Sequence, residues 1–413
     1  MNESRLYDAL ARPLTRRDAL KRSAVGVAGL TVGGSLLAAC GSDSSSSSSS
    51  TTASGGGSST AATSVSQLTE YNSFGGDTFA NAISYLAVDQ GIFAEEGIDL
   101  KTDWIEGTVK AVQSMVGGGS GLAWGDPFGQ LTAVAAGFPL KSVFQTWVGG
   151  GYGQWVLKGS PITAFTAAQI RGKKVGITEP DGGEVPFIKI AATKAGLKEG
   201  TDYEIVVTGS SPPEIADALE SGRIDVMGMS VLDVENLRNV GVETTEITPS
   251  YLNDFPGHSY FTTPEQVEEN EDVLQRFLRA RAKGLVWLHA NPLGAAAIGI
   301  KYAPASAEGL STKEVAGFLE RLWLEGNEMY FEKSNSAYHQ IGLQSPERWD
   351  EFQKVLIEAN VASESGTPLK EPLNVNEIVD NSMVAFANEF DYAEIEKEAK
   401  AYGTRYDPKK KKD

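Results

Sequence analysis

Between residues 67 and 262 short apolar runs of strand length alternate with segments whose apolar residues recur at helical spacing, and this alternation constrains the fold more than any other feature. Strand then helix, repeated, is the pattern of βα units, which sandwich a largely parallel sheet between helix layers. A first series predicts strands over 68–71, 98–105, 121–125 and 141–147, with helices between them and stops at Gly91 and Gly97. Past Gly149 and Gly151 a second series predicts a crossover strand over 154–157, strands over 174–178, 203–208 and 224–229, and a return strand over 260–262. Gly196 is placed to end the helix that opens after residue 184. Beyond Pro264 the strand signal fades, and Leu274, Phe277, Leu278, Leu285 and Leu288 keep helical spacing. The fold class read from this order is α/β: two mostly parallel sheets flanked by helices, joined by two crossovers and closed by a helical C-terminal region. That is the layout of a bilobed clamshell with a cleft between its lobes. The expected organisation is lobe 1 over 66–150, lobe 2 over 151–259, a return to lobe 1 with a helical cap over 260–400, and a charged tail over 401–413.

The single cysteine of the 413 residues, Cys40, stands directly behind Leu37, Ala38 and Ala39. Upstream lie Arg5, Arg12, Arg16, Arg17, Lys21 and Arg22, then an apolar stretch over 24–39 that is short for a membrane span. Basic region first and apolar stretch second is the order of an export signal. Residues 15–21 (TRRDALK) resemble the twin-arginine motif, with Ala19 where that motif most often has Phe, and general secretion is the alternative. Residues 1–39 therefore read as an export signal with a lipobox, and Cys40 as the lipid attachment point. The competing reading, Cys40 as an apolar residue of a membrane anchor, has against it the serine run 44–50 that follows. Residues 40–65 read as a Ser/Gly-rich tether, since almost nothing in them can be buried to offset the entropy of ordering them. Its random-coil reach is about 25 to 30 Å.

Charge narrows the partners. The first 39 residues hold six basic and three acidic side chains, so 36 and 54 become 30 and 51 without them, a formal charge of −21. A surface this acidic repels phosphate backbones and anionic headgroups, which excludes nucleic acid and favours a soluble monomer. With no second cysteine, burial must stabilise the exported body without an intramolecular disulfide. The basic run 409–412 reads as a solvated end.

Residues 84–100 (SYLAVDQGIFAEEGIDL) resemble the segment that opens the nitrate/sulfonate/thiamine-precursor group of solute-binding proteins. Residues 112–125 with their Trp124-Gly125-Asp126 ending, 170–176 (IRGKKVG) and 218–226 (ALESGRIDV) resemble later blocks of the same group, so the resemblance covers roughly residues 68–288. It implies a periodic βα body of the periplasmic-binding-protein type, an extracytoplasmic receptor that closes on a small molecule and delivers it to an ABC permease and its ATPase. It implies a location at the outer face of the cytoplasmic membrane or in the periplasm, and no cofactor. A lipid anchor agrees, because a receptor with no closed outer compartment must be tethered. A receptor for sulfonate, taurine or nitrate is the alternative within the class. A ligand-sensing lipoprotein serving a membrane signalling partner is the alternative outside it.

Ligands of open parallel sheets sit beyond the carboxyl ends of strands, where helix N-termini point into the cleft. Four loops meet that description: 72–78, 124–128, 181–184 and 229–233. They supply Asn72, Phe74, Thr78, Trp124, Asp126, Gly182, Gly183, Glu184, Ser230 and Asp233 as candidate contacts, and Tyr152 and Trp155 flank the crossover. Gly182 and Gly183 offer unobstructed amides, or form a plain turn capped by Asp181. Trp124 offers a ring face, or packs in the core. Asp77, Asp126, Asp181, Glu184 and Asp233 stand in these loops without a Lys or Arg, so the ligand expected is flat, hydrogen-bonding and neutral or cationic, of pyrimidine type. Folding can still bring Lys158, Lys173 or Arg223 to the site. The chain also resembles a pyrimidine-forming suicide enzyme, whose cysteine-rich signature is missing here. His258, His289 and His339 are far apart, His258 reads as a loop residue, and no G-x-S-x-G, H-E-x-x-H or P-loop motif occurs, so neither an enzyme nor a metal site is expected.

Overall fold

A computed structural model describes residues 65–402 except 74–75, 77, 106, 119–120, 150, 181 and 362–368, all within one compact unit. Cys40, the export signal, the tether, Phe74 and the tail lie outside the described residues.

Two five-stranded sheets organise the chain. The first has the order β2-β1-β3-β10-β4, built from β1 (Ser66–Asn72), β2 (Ile98–Trp104), β3 (Gly121–Gly125), β4 (Lys141–Gln145) and β10 (Ser259–Thr262). The second has the order β7-β6-β8-β5-β9, from β5 (Tyr152–Leu157), β6 (Lys173–Ile177), β7 (Tyr203–Val207), β8 (Val226–Ser230) and β9 (Thr244–Glu246). Each sheet is mixed. β1 pairs in parallel with β2 and β3, and β6 with β7 and β8, whereas β10 runs antiparallel to β3 and β4 and β5 antiparallel to β8 and β9. The antiparallel strands are the two that cross between lobes, so each enters its sheet from the end where the parallel strands finish. Every residue of β3 is buried, as a central strand covered on both faces requires.

The helices that matter for the site follow strands. They are α1 (Ala82–Asp89), α2 (Thr108–Gly118), α3 (Pro127–Ala135), α4 (Val185–Lys194), α5 (Pro212–Glu220) and α6 (Val231–Asn239). Gly91 and Gly196, both at positive φ, end α1 and α4 where the sequence places the stops. The C-terminal region adds α7 (Glu271–Ala290), α8 (Pro292–Tyr302), α9 (Thr312–Trp323), α10 (Pro346–Glu358), α11 (Val375–Ile378) and α12 (Tyr392–Tyr402). α7, α8 and α9 pack on lobe 1, sharing a core with Leu86, Phe93, Leu122 and Phe144. α10 rests instead on lobe 2, where Trp349 and Phe352 join Phe187, Ile188 and Ile190 of α4, and the same apolar layer reaches Leu131 of α3 and Ile378 of α11.

Lobe 1 also encloses a buried ion pair. Glu70 accepts from Tyr260 Oη (2.9 Å), Asn72 Nδ2 (3.1 Å), Thr102 Oγ1 (3.2 Å) and the Arg281 guanidinium, whose plane lies 5.2 to 5.4 Å from the rings of Phe93, Phe277 and Tyr260. Two crossovers join the lobes and pair with each other: Val148 bridges Pro256, Thr146 N donates to His258 O (2.8 Å) and Gly149 N to Phe255 O (3.1 Å). Gly257 is confined here by geometry, because a Cβ on it would overlap the carbonyl oxygens of Trp147 and Gly149. Gly326 O accepts from Val148 N (3.1 Å), and Asn327 Nδ2 donates to Thr146 O (2.7 Å), tying the C-terminal region to the first crossover.

Candidate functional site

On the lobe-1 side β3 ends in Trp124 and Gly125, and Asp126 caps α3, its Oδ1 accepting from Gly129 N (2.7 Å). Thr108, the first residue of α2, donates to the same carboxylate and accepts from Asp126 N (3.0 Å). A side chain at Gly125 or Gly129 would collide with Thr108, so this corner is tight. Because β10 is antiparallel, its first residue Ser259 lies opposite Gly125 and Gln145, the carboxyl ends of β3 and β4. His258 is thereby delivered to the ligand end of the sheet. Its ring lies 4.8 Å from Trp124 and 4.5 Å from Trp147; Trp147 meets Trp323 edge-on at 5.0 Å, and Trp124 Nε1 donates to Thr146 Oγ1 (3.0 Å). His258 is 5% exposed, and its Nδ1, like Trp147 Nε1, has no hydrogen-bond partner among the described residues. Burial lowers the His258 pKa to about 4 against an opposing pull from Asp126, so the ring is neutral at neutral pH.

On the lobe-2 side Tyr152 begins β5 opposite Ser230, the last residue of β8. Its ring stacks on Phe187 of α4 at 5.6 Å and lies 6.3 Å from His258, which joins the two lobes at this point. Gly183 is held against the Tyr152 hydroxyl so closely that a Cβ would overlap it. Glu184, buried, accepts from Thr178 N (2.7 Å) and Thr178 Oγ1 (2.6 Å) through Oε1. Ser230 and Asp233 form the capping box that starts α6, with Asp233 Oδ2 accepting from Ser230 N (3.0 Å) and Oγ (2.7 Å). Burial raises the pKa of Glu184 above the usual carboxylate range, with Asp233 adding to the effect, and burial raises that of Asp233 too. The Tyr152 hydroxyl is pushed well above the usual phenol range, first by burial and then by the charges of Asp126, Glu184, Asp233 and Glu179.

Trp124, Asp126, Tyr152, Gly183, Glu184, Ser230 and Asp233 thus meet at one junction. Asn72 pairs in register with Trp124, but its amide donates to Glu70. Thr78 accepts from Ala80 N at the start of the helical turn before α1. Gly182 lies against the Glu184 carboxylate. Trp155 packs in the other face of lobe 2 with Ile215, Leu219, Met227 and Met229. Trp124 is 2% exposed and belongs to the lobe-1 core, so its ring serves packing as well as the junction. The three basic residues open to recruitment all stand elsewhere. Lys158 pairs with Glu243 (2.5 Å), Lys173 with Asp225 (3.0 Å), and Arg223 donates to Val207 O (3.4 Å). Lys173 opens β6 and Lys158 follows the antiparallel β5, which places both at the opposite edge of the sheet, while Arg223 reaches Val207, the last residue of the outer strand β7.

Sequence reasoning missed His258 and Trp147. A signal for His258 exists: the residue before an antiparallel return strand falls where the neighbouring parallel strands end.

A cavity of about 370 Å³ lies elsewhere, beside β4, lined by Leu140, Lys141, Pro264, Leu373 and Glu377. Its polar lining is Lys141, Asn374 and Glu377, away from the strand ends of both sheets that converge at the junction, and the junction is the better candidate. Among the described residues no helix is long and apolar enough to cross a membrane, and no group of three or more His, Cys, Asp or Glu could hold a metal ion.

Two mixed five-stranded sheets whose strand ends face one junction make the periplasmic-binding-protein fold. The chain belongs to the NMT1/THI5-like family, whose model matches residues 79–295. It is 21% identical over 308 residues to the riboflavin-binding protein RibY of Chloroflexus aurantiacus, covering 74% of this chain and 81% of that one. Its fold is shared with the alkanesulfonate-binding protein SsuA from Xanthomonas axonopodis pv. citri, at TM-score 0.55 and 14% identity over 78% of this chain and all of that one. The periplasmic nitrate-binding protein NrtA from Synechocystis gives TM-score 0.54 and 14% identity over 82% and 97%.

Proposed function

We propose that this chain is the extracytoplasmic receptor of an ABC-type importer, held at the membrane through Cys40 and binding a small, flat, hydrogen-bonding organic solute between its lobes. The observation that carries the reading is the convergence of Trp124, Asp126 and His258 from one lobe with Tyr152, Gly183, Glu184 and Asp233 from the other. Groups split between two bodies around one point suit a ligand that both must grip, and its binding then favours closure. Family membership and the riboflavin-binding relative support a ring-containing solute. A sulfonate or nitrate ligand, as named for the two structural neighbours, fits less well, because the leading charges at Tyr152 are carboxylates, Lys158 and Lys173 pair at the far edge of the lobe-2 sheet, and Arg223 is turned to the outer strand β7. Delivery to a permease and its ATPase follows from the same reading, and no step of chemistry is assigned to the site.

A thermal-shift screen of the full chain in detergent, with riboflavin, pyrimidines, thiamine, taurine, alkanesulfonates, nitrate and polyamines, tests the proposal. A true ligand at about 100 times its dissociation constant stabilises by about 2.7 kcal/mol. Silence across the panel would overturn the receptor reading. Anchoring is tested by Cys40→Ser, which is expected to release the protein from the membrane fraction; retention there refutes the lipid attachment.

A further inference from the structure

The charge at the junction is unbalanced. Among the described residues the other fully buried carboxylates have cations: Glu70 has Arg281, Glu96 has Arg279 and Lys283, and Glu235 has Arg321 and Arg238. At the junction the bonds to Asp126, Glu184 and Asp233 come from hydroxyls and backbone amides. Capping explains each bond singly, but not why these three carboxylates gather, with Glu179, around one phenol. Two further observations point to an absent binding partner. Aromatic rings surround the acids, Trp124, Trp147, Tyr152 and His258 lying within 4.5 to 6.3 Å of one another in linked pairs. In their midst His258 Nδ1 and Trp147 Nε1, on side chains 5% exposed, are unpartnered. Below them Gln154, fully buried on the Tyr152 face of β5, leaves both amide atoms unpartnered.

We propose that the junction selects an organic cation, a flat ring or amine carrying one positive charge, held among Asp126, Glu184 and Asp233 against the ring of Tyr152. Aromatic faces attract cations most when both are desolvated, and carboxylates that lack counter-ions supply what a cation replaces on leaving water. Tyr152, Asp126, Ser230 and Asp233 are half-buried, which leaves them accessible at the rim while Glu184 and His258 form the floor. The inference rests on the receptor reading and narrows its ligand.

Isothermal titration of the full chain in detergent compares 1-methylnicotinamide, a ring cation, with nicotinamide, its neutral counterpart, alongside riboflavin and methanesulfonate. The charged ring is expected to bind at least about tenfold more tightly than the neutral one. Glu184→Gln and Asp233→Asn should each narrow that gap by about tenfold, with unchanged circular dichroism as the folding control. Equal affinity for the pair, or an undiminished gap in both variants, overturns the inference. Binding of riboflavin or methanesulfonate without the cation also overturns it while leaving the receptor reading intact. Failure of all four probes counts against both.

Discussion

The two lobes share a sheet plan, but the core of lobe 1 and the junction handle charge in opposite ways. Lobe 1 buries its acids with partners: Glu70 and Arg281 are 0% and 3% exposed, and Glu96 sits between Arg279 (2.6 Å) and Lys283 (2.7 Å). In lobe 2 Lys158 and Glu243 pair on the surface and Glu235 is paired with Arg238 and Arg321, but Glu184 and Asp233 stand at the junction with neutral donors. Compensated charge fixes the lobe-1 core; uncompensated charge at the junction, where Asp126 of lobe 1 joins Glu184 and Asp233 of lobe 2, is held ready for a ligand. An acid that folding leaves unpaired raises the energy of the empty protein, and a cation can recover that energy on binding.

The strongest test of this contrast removes one cation from each lobe. Arg281→Met strands Glu70 in the lobe-1 core and is expected to cost about 3 to 5 kcal/mol in urea unfolding. Lys173→Met, on a pair one-third exposed, should stay within about 1 kcal/mol. Equal losses would erase the distinction between the lobes.

Acid should separate them next. The folded pKa of His258, about 4, lies below its unfolded value of about 6.5, so the unfolded chain takes up the proton first and stability drains as pH falls through that window. The full effect is about 3 kcal/mol. Glu184 and Asp233 act with the opposite sign: their folded pKa values are raised, so protonation relieves a strain of the folded state and adds stability as pH falls. His258→Phe should therefore resist acid better than the parent between pH 6.5 and 4, read as melting temperature at each pH. A parallel decline in both proteins would place the acid sensitivity elsewhere.

The smallest effect concerns the seam. Arg321 of α9 donates to Glu235 of α6 through Nε (2.6 Å) and Nη2, linking lobe 1 to lobe 2. Arg321→Gln leaves Arg238 with Glu235, so the stability loss should be about 1 kcal/mol or less, with a larger radius of gyration in solution scattering. An unchanged radius would mean that this contact does not restrain the lobes.

Much of this was legible in the chain. Strands β1 to β8 and β10 fall within two residues of the apolar runs that predict them, because a strand between helix layers must be apolar nearly throughout. β9 was not legible: Thr244, Thr245 and Glu246 carry no apolar pattern and form an edge strand only because β5 offers them backbone partners. The expectation of mostly parallel sheets holds, with one reversed strand in each, and the direction of those two, β5 and β10, is set by where the crossovers enter and not by local composition. The lobe-2 part of the candidate site was readable because Gly183, Glu184, Ser230 and Asp233 follow strands directly. Its lobe-1 half was less so, since His258 and Trp147 sit on the crossovers. Apolar residues over 349–359 keep helical spacing where α10 forms, but that spacing does not show that Trp349 and Phe352 cover lobe 2; a helical face records that something must cover it, not what.

The contacts of Gly326 and Asn327 with the first crossover have a mechanical consequence. Two ribbons that twist together would give the jaws a free pivot, whereas a third segment braced behind them makes a fulcrum with a backstop. Changes in this distant stretch can then reset how far the jaws swing, and so tune capture and release without altering a single atom that meets the cargo.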